Sequence, residues 1–486
     1  MNKLYYGDNL DILREHIKDE SVDLIYLDPP FKSGQNYNVL FEEKNGSKSV
    51  AQIQAFEDTW QWDRKAAETY QEILETAPGK TCNLIIAFEK ALGHNDMFAY
   101  LVMMAIRILE LRRALKPTGS LYLHCDPTAS HYLKLILDAV FGYKNFNNEV
   151  IWFYKSGGAT KKRWSRKHDT IFYYSKTNKY IFNPQTEKSY NRDLKPYRFK
   201  GVKEYKDDVG WYTLVNMKDV WNIDMVGRTS RERLGYPTQK PETLLERIIK
   251  ASSNSDGIIM DPFCGCGTTI TVAEKLKRQW IGIDVTHLAI SLIKYRLADT
   301  FEYTVEYEVH GEPKDVAGAQ FLAKQDPFQF ESWALGLVKA KPTQKTADRG
   351  IDGNIYFQDD PKGGPPAQIV VSVKSGTINP GVLRDLKGTV EREKAAIGIL
   401  ITLNEPTRGM NKEALDAGKY TSPFGKKYDK IQILTIKELF EGKQIERPRE
   451  RIHSYDVTFK KPKKHKGGWV KQPDVFDKPE NEDDPT

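Results

Sequence analysis

Gly257-Ile258-Ile259-Met260-Asp261-Pro262-Phe263-Cys264-Gly265-Cys266-Gly267-Thr268-Thr269 is the stretch that decides the fold. An apolar run ends in an acid, a proline stops it, and glycines open a loop before a helical segment over 269–276. A second apolar run follows, Trp280-Ile281-Gly282-Ile283-Asp284. Strand, glycine turn, helix, strand is the βαβ unit of a parallel sheet. Gly265 and Gly267 let the backbone approach a ligand with no side chain between. Asp284 stands 19 residues after Gly265, near the spacing at which an acid meets ribose hydroxyls. Ile270 occupies the third glycine position of a dinucleotide fingerprint, and no lysine follows as in a phosphate-binding loop. The pattern points to a nucleoside without a pyrophosphate; the bland alternative is a plain βαβ turn.

A second strand end lies far upstream. In Ser21-Val22-Asp23-Leu24-Ile25-Tyr26-Leu27-Asp28-Pro29-Pro30-Phe31, residues 22–27 read as a buried strand. The prolines stop it, and Asp28, preceding proline, is held extended. Asp28 therefore sits at the carboxyl end of a strand, where open α/β sheets bind ligands. Proline has no N–H, so the Asp28 carboxylate and the nearby carbonyls form a rigid set of acceptors beside the Phe31 ring. Such a set grips an amino group while the ring stacks on its base; a turn with a capping Asp is the alternative.

Composition bounds the rest. The 486 residues are about three domains' worth of chain. With 40% hydrophobic residues the chain has enough apolar material for a sizeable core. A net charge of +7 leans toward an anionic partner. No apolar run approaches the ~18 residues of a membrane span, and the first residues carry no signal pattern. The four cysteines form no CxxC pair and the nine histidines show no ligand spacing, so neither a disulfide framework nor a structural zinc site is indicated. A protein of a reducing cytoplasm is expected.

Residues 1–308 alternate apolar and amphipathic stretches, 312–447 repeat that style on a smaller scale, and 448–486 form a charged tail expected to be disordered. Within the first region, 152–235 reads as an insertion between two halves of a sheet. It interleaves Lys161, Lys162, Arg163, Arg166 and Lys167 with Trp152, Tyr154, Trp164, Phe172 and Tyr173, and Arg228, Arg231 and Arg233 follow near Trp221. Phosphate contacts would give salt-dependent affinity, and one Arg on a guanine edge would add ~1–3 kcal/mol of discrimination. A solvated basic face over an aromatic core is the alternative. Trp60 and Trp62 read more simply as buried aromatics than as a lining of a target pocket.

Together these residues resemble the β group of DNA amino-methyltransferases that use S-adenosyl-L-methionine, whose sheet is circularly permuted. Asp28-Pro29-Pro30-Phe31 resembles the catalytic motif, 261–269 the cofactor loop, Tyr236-Pro237-Thr238-Gln239-Lys240-Pro241 the motif before it, and Tyr6-Gly7-Asp8-Asn9 the element that meets the cofactor adenine. The resemblance covers about 300 residues. It implies a Rossmann-like α/β methyltransferase sheet with an inserted recognition region, and methyl transfer to adenine N6 in double-stranded DNA. Asp28 and the Pro29 carbonyl would accept the target amino hydrogens, with Pro30 fixing the turn and Phe31 stacking on the flipped base. Asp8 and Asn9 would meet the cofactor adenine and Asp284 its ribose. Asp261, Gly265 and Lys240 would line the methionine end, and Pro262, Phe263, Gly267 and Thr268 of the loop would also bind the cofactor; a solvated helix-start cation is the other reading of Lys240. Cytosine N4 uses the same pocket chemistry, and an Asp before Pro-Pro leans to adenine. An RNA methyltransferase, or a DNA-binding adaptor with inactive sites, are the rival readings. A dimer is compatible with the sequence, and a prokaryotic cell or a virus-infected host is the expected setting.

The smaller unit pairs Asp348-Arg349-Gly350-Ile351-Asp352-Gly353 with Gln368-Ile369-Val370-Val371-Ser372-Val373-Lys374. An acid, a hairpin and a lysine on the next strand suit a Mg²⁺-dependent phosphodiesterase, Asp352 holding the metal and Lys374 orienting the nucleophile. A polar helix over 383–396 and a strand over 398–402 follow. The unit resembles the Mrr-like branch of PD-(D/E)xK nucleases, a small α/β fold, with Glu331 as the acid on the preceding helix. Ser372 departs from that pattern, because an active member has Glu or Gln two residues before the lysine. Cleavage, and a degenerate fold kept for DNA binding or structure, both stay open, as does a single-chain restriction–modification enzyme.

Overall fold

The computed structural model describes residues 1–30, 62–155, 160–162, 164–227, 230, 232–234, 236, 238–343, 350–358, 365–448 and 455–456. The first part runs β1 (Asn2–Tyr6), α1 (Asn9–His16), β2 (Val22–Leu27), α2 (Arg64–Thr76), α3 (Gly79–Leu92), α4 (Asp96–Ala114), β3 (Leu115–Cys125), α5 (Ser130–Phe141), β4 (Phe146–Phe153) and β5 (His168–Ser175). It continues through β6 (Thr186–Tyr190), β7 (Glu204–Lys206), β8 (Trp211–Asn216), β9 (Val220–Asn222), α6 (Glu242–Ser252), β10 (Ile258–Asp261), α7 (Thr268–Lys275), β11 (Gln279–Asp284), α8 (His287–Phe301) and β12 (Tyr307–His310).

Among the described residues nine strands form one sheet in the order β12-β1-β11-β10-β2-β3-β5-β4-β9. From β12 to β3 all pairs are parallel. Such strands are covered on both faces, which is why β2 is buried along its whole length. Asp23 belongs to that buried run because its carboxylate accepts Ile258 N at 2.8 Å and Lys116 Nζ at 2.7 Å, tying β2 to β10. α4 is apolar on nearly every face and lies in the core, its first turn capped by Asn95 on Phe98 N. One core carries α1, α4 and α5, and the opposite face carries α6, α7 and α8.

Residues 152–235 are not all outside this sheet. The end of β4, all of β5 and β9 belong to it, and β5 lies between β3 and β4 with antiparallel pairing to both. Trp152, Phe172 and Tyr173 are core side chains, as an unbroken apolar strand requires. Only β6, β8 and β7 form a separate small sheet.

The second part runs α9 (Val316–Gln325), α10 (Pro327–Leu337), β13 (Lys341–Pro342), β14 (Gly353–Gln358), β15 (Ala367–Lys374), α11 (Pro380–Arg392), β16 (Ile397–Thr402), α12 (Arg408–Asp416), β17 (Lys419–Thr421), β18 (Lys427–Asp429), β19 (Ile431–Thr435), α13 (Ile436–Phe440) and β20 (Tyr455–Asp456). Its sheet has the order β13-β14-β15-β16-β19, and β20 pairs with β14. The tail expected to be disordered thus contributes a short strand; its other residues from 449 onward lie outside the described residues. No helix among the described residues is long and apolar enough to cross a membrane.

Candidate active site

The chain passes from β2 to β3 on one side, yet β10 pairs with β2 on the other, Met260 opposite Ile25. The carboxyl ends of β2 and β10 are therefore neighbours at a switch point of the sheet, where a crevice forms. A cavity of about 460 Å³ opens there. Asp28, Pro29 and Pro30 line it from β2; Asp261, Pro262, Phe263, Gly265 and Thr268 from β10 and its loop; Asp8 and Asn9 from β1; Asp284 from β11; and Lys240 from the segment before α6. Phe31 and Trp60, like Arg163, Arg228 and Arg231, lie outside the described residues.

The loop is held by its own acids. Gly265 has φ +49°, and its N–H donates to Asp284 Oδ2 at 2.9 Å. A Cβ at Gly265 would come within 3.3 Å of the Tyr236 ring, so the segment before α6 packs on the loop. Gly267, at φ +73°, caps α7 and does not line the cavity; a Cβ there would stand 2.7 Å from Ile293. Its role is the turn rather than the wall. Asp284 Oδ1 accepts from Thr286 N and Oγ1, both at 2.9 Å. Asp261 accepts Phe263 N at 3.0 Å and Thr269 Oγ1 at 2.6 Å. Burial outweighs these bonds and pushes the Asp261 carboxyl up to about 7 and that of Asp284 up to about 6.

The β1 end is organised by a residue that the motifs did not reveal. Arg107 of α4 is buried, donates Nη2 to Asp8 Oδ1 at 2.7 Å and Nε to Asn9 Oδ1 at 2.5 Å. Asn9 in turn donates to the Pro262 carbonyl at 2.8 Å, joining β1 to the loop. Asp8 also caps α1 through Leu10 N at 2.9 Å and takes Lys65 Nζ at 3.0 Å. Burial alone would raise the Asp8 carboxyl, but Arg107 and Lys65 override it and hold it at about 2. A cation inside the apolar run of α4 was the available signal for Arg107, since a buried guanidinium needs a partner.

At β2, Lys240 Nζ donates to Asp28 Oδ2, so Lys240 is not a solvated cation; its side chain is 11% exposed. Asp28 Oδ1 stands 3.7 Å from His124 Nδ1. Trp62 stacks on His94 and Phe98 against the core, in line with its reading as a buried aromatic.

The cavity wall combines five carboxyls, Asp8, Asp28, Asp63, Asp261 and Asp284, with three cations, Lys65, Arg107 and Lys240. That donor set fits a nucleoside bearing a sulfonium and an amino-acid tail, whose own charges are mixed.

In the second part Asp352 and Lys374 do come together, Nζ 3.6 Å from Oδ2. The same Oδ2 also accepts Val373 N at 2.6 Å and Ser372 Oγ at 3.1 Å. Glu331 is half-buried on α10. Mg²⁺ asks for an octahedron of oxygens. Asp352 Oδ2 is engaged by the neighbouring strand β15, and Ser372 stands where an acid is needed, so these residues alone do not make up such an octahedron. Among the described residues no group of three or more His, Cys, Asp or Glu could hold a metal ion.

Several known proteins are similar to this chain. The type II methyltransferase M.HpaI of Haemophilus parainfluenzae is 28% identical over 59% of this chain and 71% of its own. The type II methyltransferase M2.LlaDCHI of Lactococcus lactis subsp. cremoris is 30% identical over 60% of this chain and 88% of its own. The DNA adenine methyltransferase YhdJ of Escherichia coli (strain K12) is 28% identical over 62% of this chain and 85% of its own. A family model described as NACHT-associated inactive restriction endonuclease 1 matches residues 330–441. A model described as DNA methylase, for N6 and N4 methyltransferases, matches residues 22–295, more than half of the 486, and the chain belongs to that DNA methylase family.

Proposed function

We propose that this chain transfers the methyl group of S-adenosyl-L-methionine to the N6 amino group of adenine at specific sites in duplex DNA. The observation that carries the reading is the shared cavity: Asp28 and the 261–268 loop end adjacent strands and face one space. Lys240 occupies a lone pair of Asp28 Oδ2, which leaves Oδ1 and the Pro29 carbonyl for the two amino hydrogens. Drawing on both hydrogens takes the nitrogen lone pair out of conjugation and aims it. The bound cofactor supplies a methyl carbon on a sulfonium leaving group. Orientation then provides most of the rate, an effect of up to ~7–11 kcal/mol in well-aligned systems. Asp8 and Asn9 hold the cofactor adenine and Asp284 the ribose, while Asp261, Gly265 and Thr268 bound the methionine end. The base leaves the stack at a cost of a few kcal/mol.

Adenine is favoured over cytosine by Asp28 preceding Pro29-Pro30 and by the adenine enzyme among the relatives. Target recognition falls to the exposed basic segment between β4 and β5, with the small β6-β8-β7 sheet. β4 is antiparallel to β5, which is antiparallel to β3, so that segment leaves the same sheet edge as Asp28. The second part is a non-cleaving DNA-binding or structural unit, a reading favoured by the occupied Asp352 carboxylate. The test is digestion of DNA methylated by this enzyme to nucleosides, followed by mass spectrometry. N6-methyladenine is expected; N4-methylcytosine would overturn the choice of base, and no methylated nucleoside would overturn the activity.

A further inference from the structure

Behind Asp28 lies a buried chain of polar groups that no motif announces. His124, on β3, has a side chain with no exposed surface. β3 pairs with β2 so that Leu123 faces Leu27, which makes His124 and Asp28 the next pair along. The imidazole has two engaged edges. Nδ1 lies 2.9 Å from the Tyr26 hydroxyl and 3.7 Å from Asp28 Oδ1. Nε2 lies 3.2 Å from Asp169 Oδ2 on β5, and the other oxygen of Asp169 takes the Tyr154 hydroxyl at 3.1 Å. Trp152 of β4 meets the ring edge-on at 5.4 Å. Along the chain the neighbours are the Cys125 thiol at the end of β3 and Asp126 just beyond it, and Lys240 acts on the group through its bond to Asp28 and through its charge near Asp169.

Burial pushes the Tyr26 phenol well above its ordinary value, so it stays a neutral hydroxyl. Burial would also raise Asp169, but the His124 hydrogen bond overrides it and holds that carboxyl below the usual range. An ionised Asp169 keeps a proton on Nε2. Nδ1 then accepts the hydrogen of the Tyr26 hydroxyl.

We propose that His124, fixed by Asp169, is a positioning residue for Asp28: its buried imidazole, held by Tyr26 and Asp169, backs Asp28 Oδ1 and keeps that oxygen turned toward the target amino group. The inference rests on the methyltransferase reading above and adds to it a residue. Tyr26 and Asp169 engage the two ring nitrogens, so the ring holds its place behind Asp28 while Oδ1 stays open to the target. Misplacing a reacting group by about 1 Å costs up to ~10²-fold, which sets the scale of the effect.

The experiment is single-turnover methyl transfer to duplex DNA for the wild type, His124→Gln, Asp169→Asn and Asp28→Ala, with S-adenosyl-L-methionine affinity measured alongside. Asp169→Asn guards against a buried His124 variant that fails to fold, because the Asp169 side chain is 14% exposed. The expected result is a single-turnover rate lowered about tenfold or more in both variants, with cofactor affinity within about twofold of wild type. A folded Asp169→Asn with the wild-type rate would overturn the inference, as would a loss of cofactor affinity that accounts for the whole loss of rate. Equal transfer by wild type and Asp28→Ala, or none by wild type, would instead bring down the methyltransferase reading itself.

Discussion

Asp261 and Asp284 are carboxyls folded into a place where their charged forms are poorly solvated. Their values of about 7 and about 6 lie above the ~3.9 of an unfolded aspartate. The folded chain therefore binds more protons, and the stability they contribute is full below about pH 4 and lost as pH rises through 6 to 7. Asp8 runs the other way: held at about 2, it contributes stability above about pH 4 that is lost as pH falls toward 2. Thermal melts of the cofactor-free protein should fall between about pH 4 and 7, and Asp261→Asn should flatten that fall, by at most on the order of 4 kcal/mol. An unchanged slope in the variant would contradict the assignment. The acids of this site were legible because each closes an apolar run or follows a short strand. Arg107 and His124 were not. Their partners Asp8, Asn9 and Tyr26 lie 98 or 99 residues away in the chain, and only folding brings them together.

Elements carry their own tests. Gly267→Ala puts a Cβ 2.7 Å from Ile293 at a φ of +73°. Strain and overpacking of this kind cost ~1–3 kcal/mol each. The variant should melt earlier and bind S-adenosyl-L-methionine more weakly, as calorimetry would report; an unaffected melt would show that α7 and α8 give way freely. Lys161, Lys162 and Arg166 are exposed on the segment between β4 and β5, where Trp164 is 95% exposed. Each change to Ala should weaken DNA binding across all sequences and reduce the salt slope by about one. A salt slope equal to wild type would remove that segment from the interface. β2 could be read to the residue from its apolar run, but the strand nature of 168–175 was hidden by the charges before it. Those charges sit on the connecting segment, and Phe172 and Tyr173 pack inside. A basic stretch and a core strand can share one sequence window because the charges end where the connecting segment ends and β5 is buried without a break from Thr170 to Ser175.

At the scale of the molecule, the second part docks through α10 onto α8, the helix that begins just beyond Asp284. His287 N donates to Gln329 Oε1 at 3.3 Å, Lys294 pairs with Glu312, and Gly336 approaches Ser291 so closely that a Cβ would stand 2.3 Å from its Oγ. Gly336→Val should force the helices apart, lower the melting temperature by the ~1–3 kcal/mol typical of overpacking, and weaken cofactor binding through α8. A variant with wild-type melting and affinity would show the two parts to be independent. This docking could not be read in the sequence, because it depends on contacts between helices rather than on any motif. The α/β nature of both parts could, since each alternates apolar runs with amphipathic stretches.

The account rests on Asp28 meeting the glycine loop across one cavity, with the cofactor on one side and the target amino group on the other. The most direct measurement is tritiated methyl transfer to duplex DNA by wild type and Asp28→Ala at saturating cofactor, with cofactor affinity determined for both. The account predicts near-equal affinity and a loss of transfer of at least ~10²-fold, as for removal of a group acting only in the transition state. Equal transfer by the two proteins would contradict it.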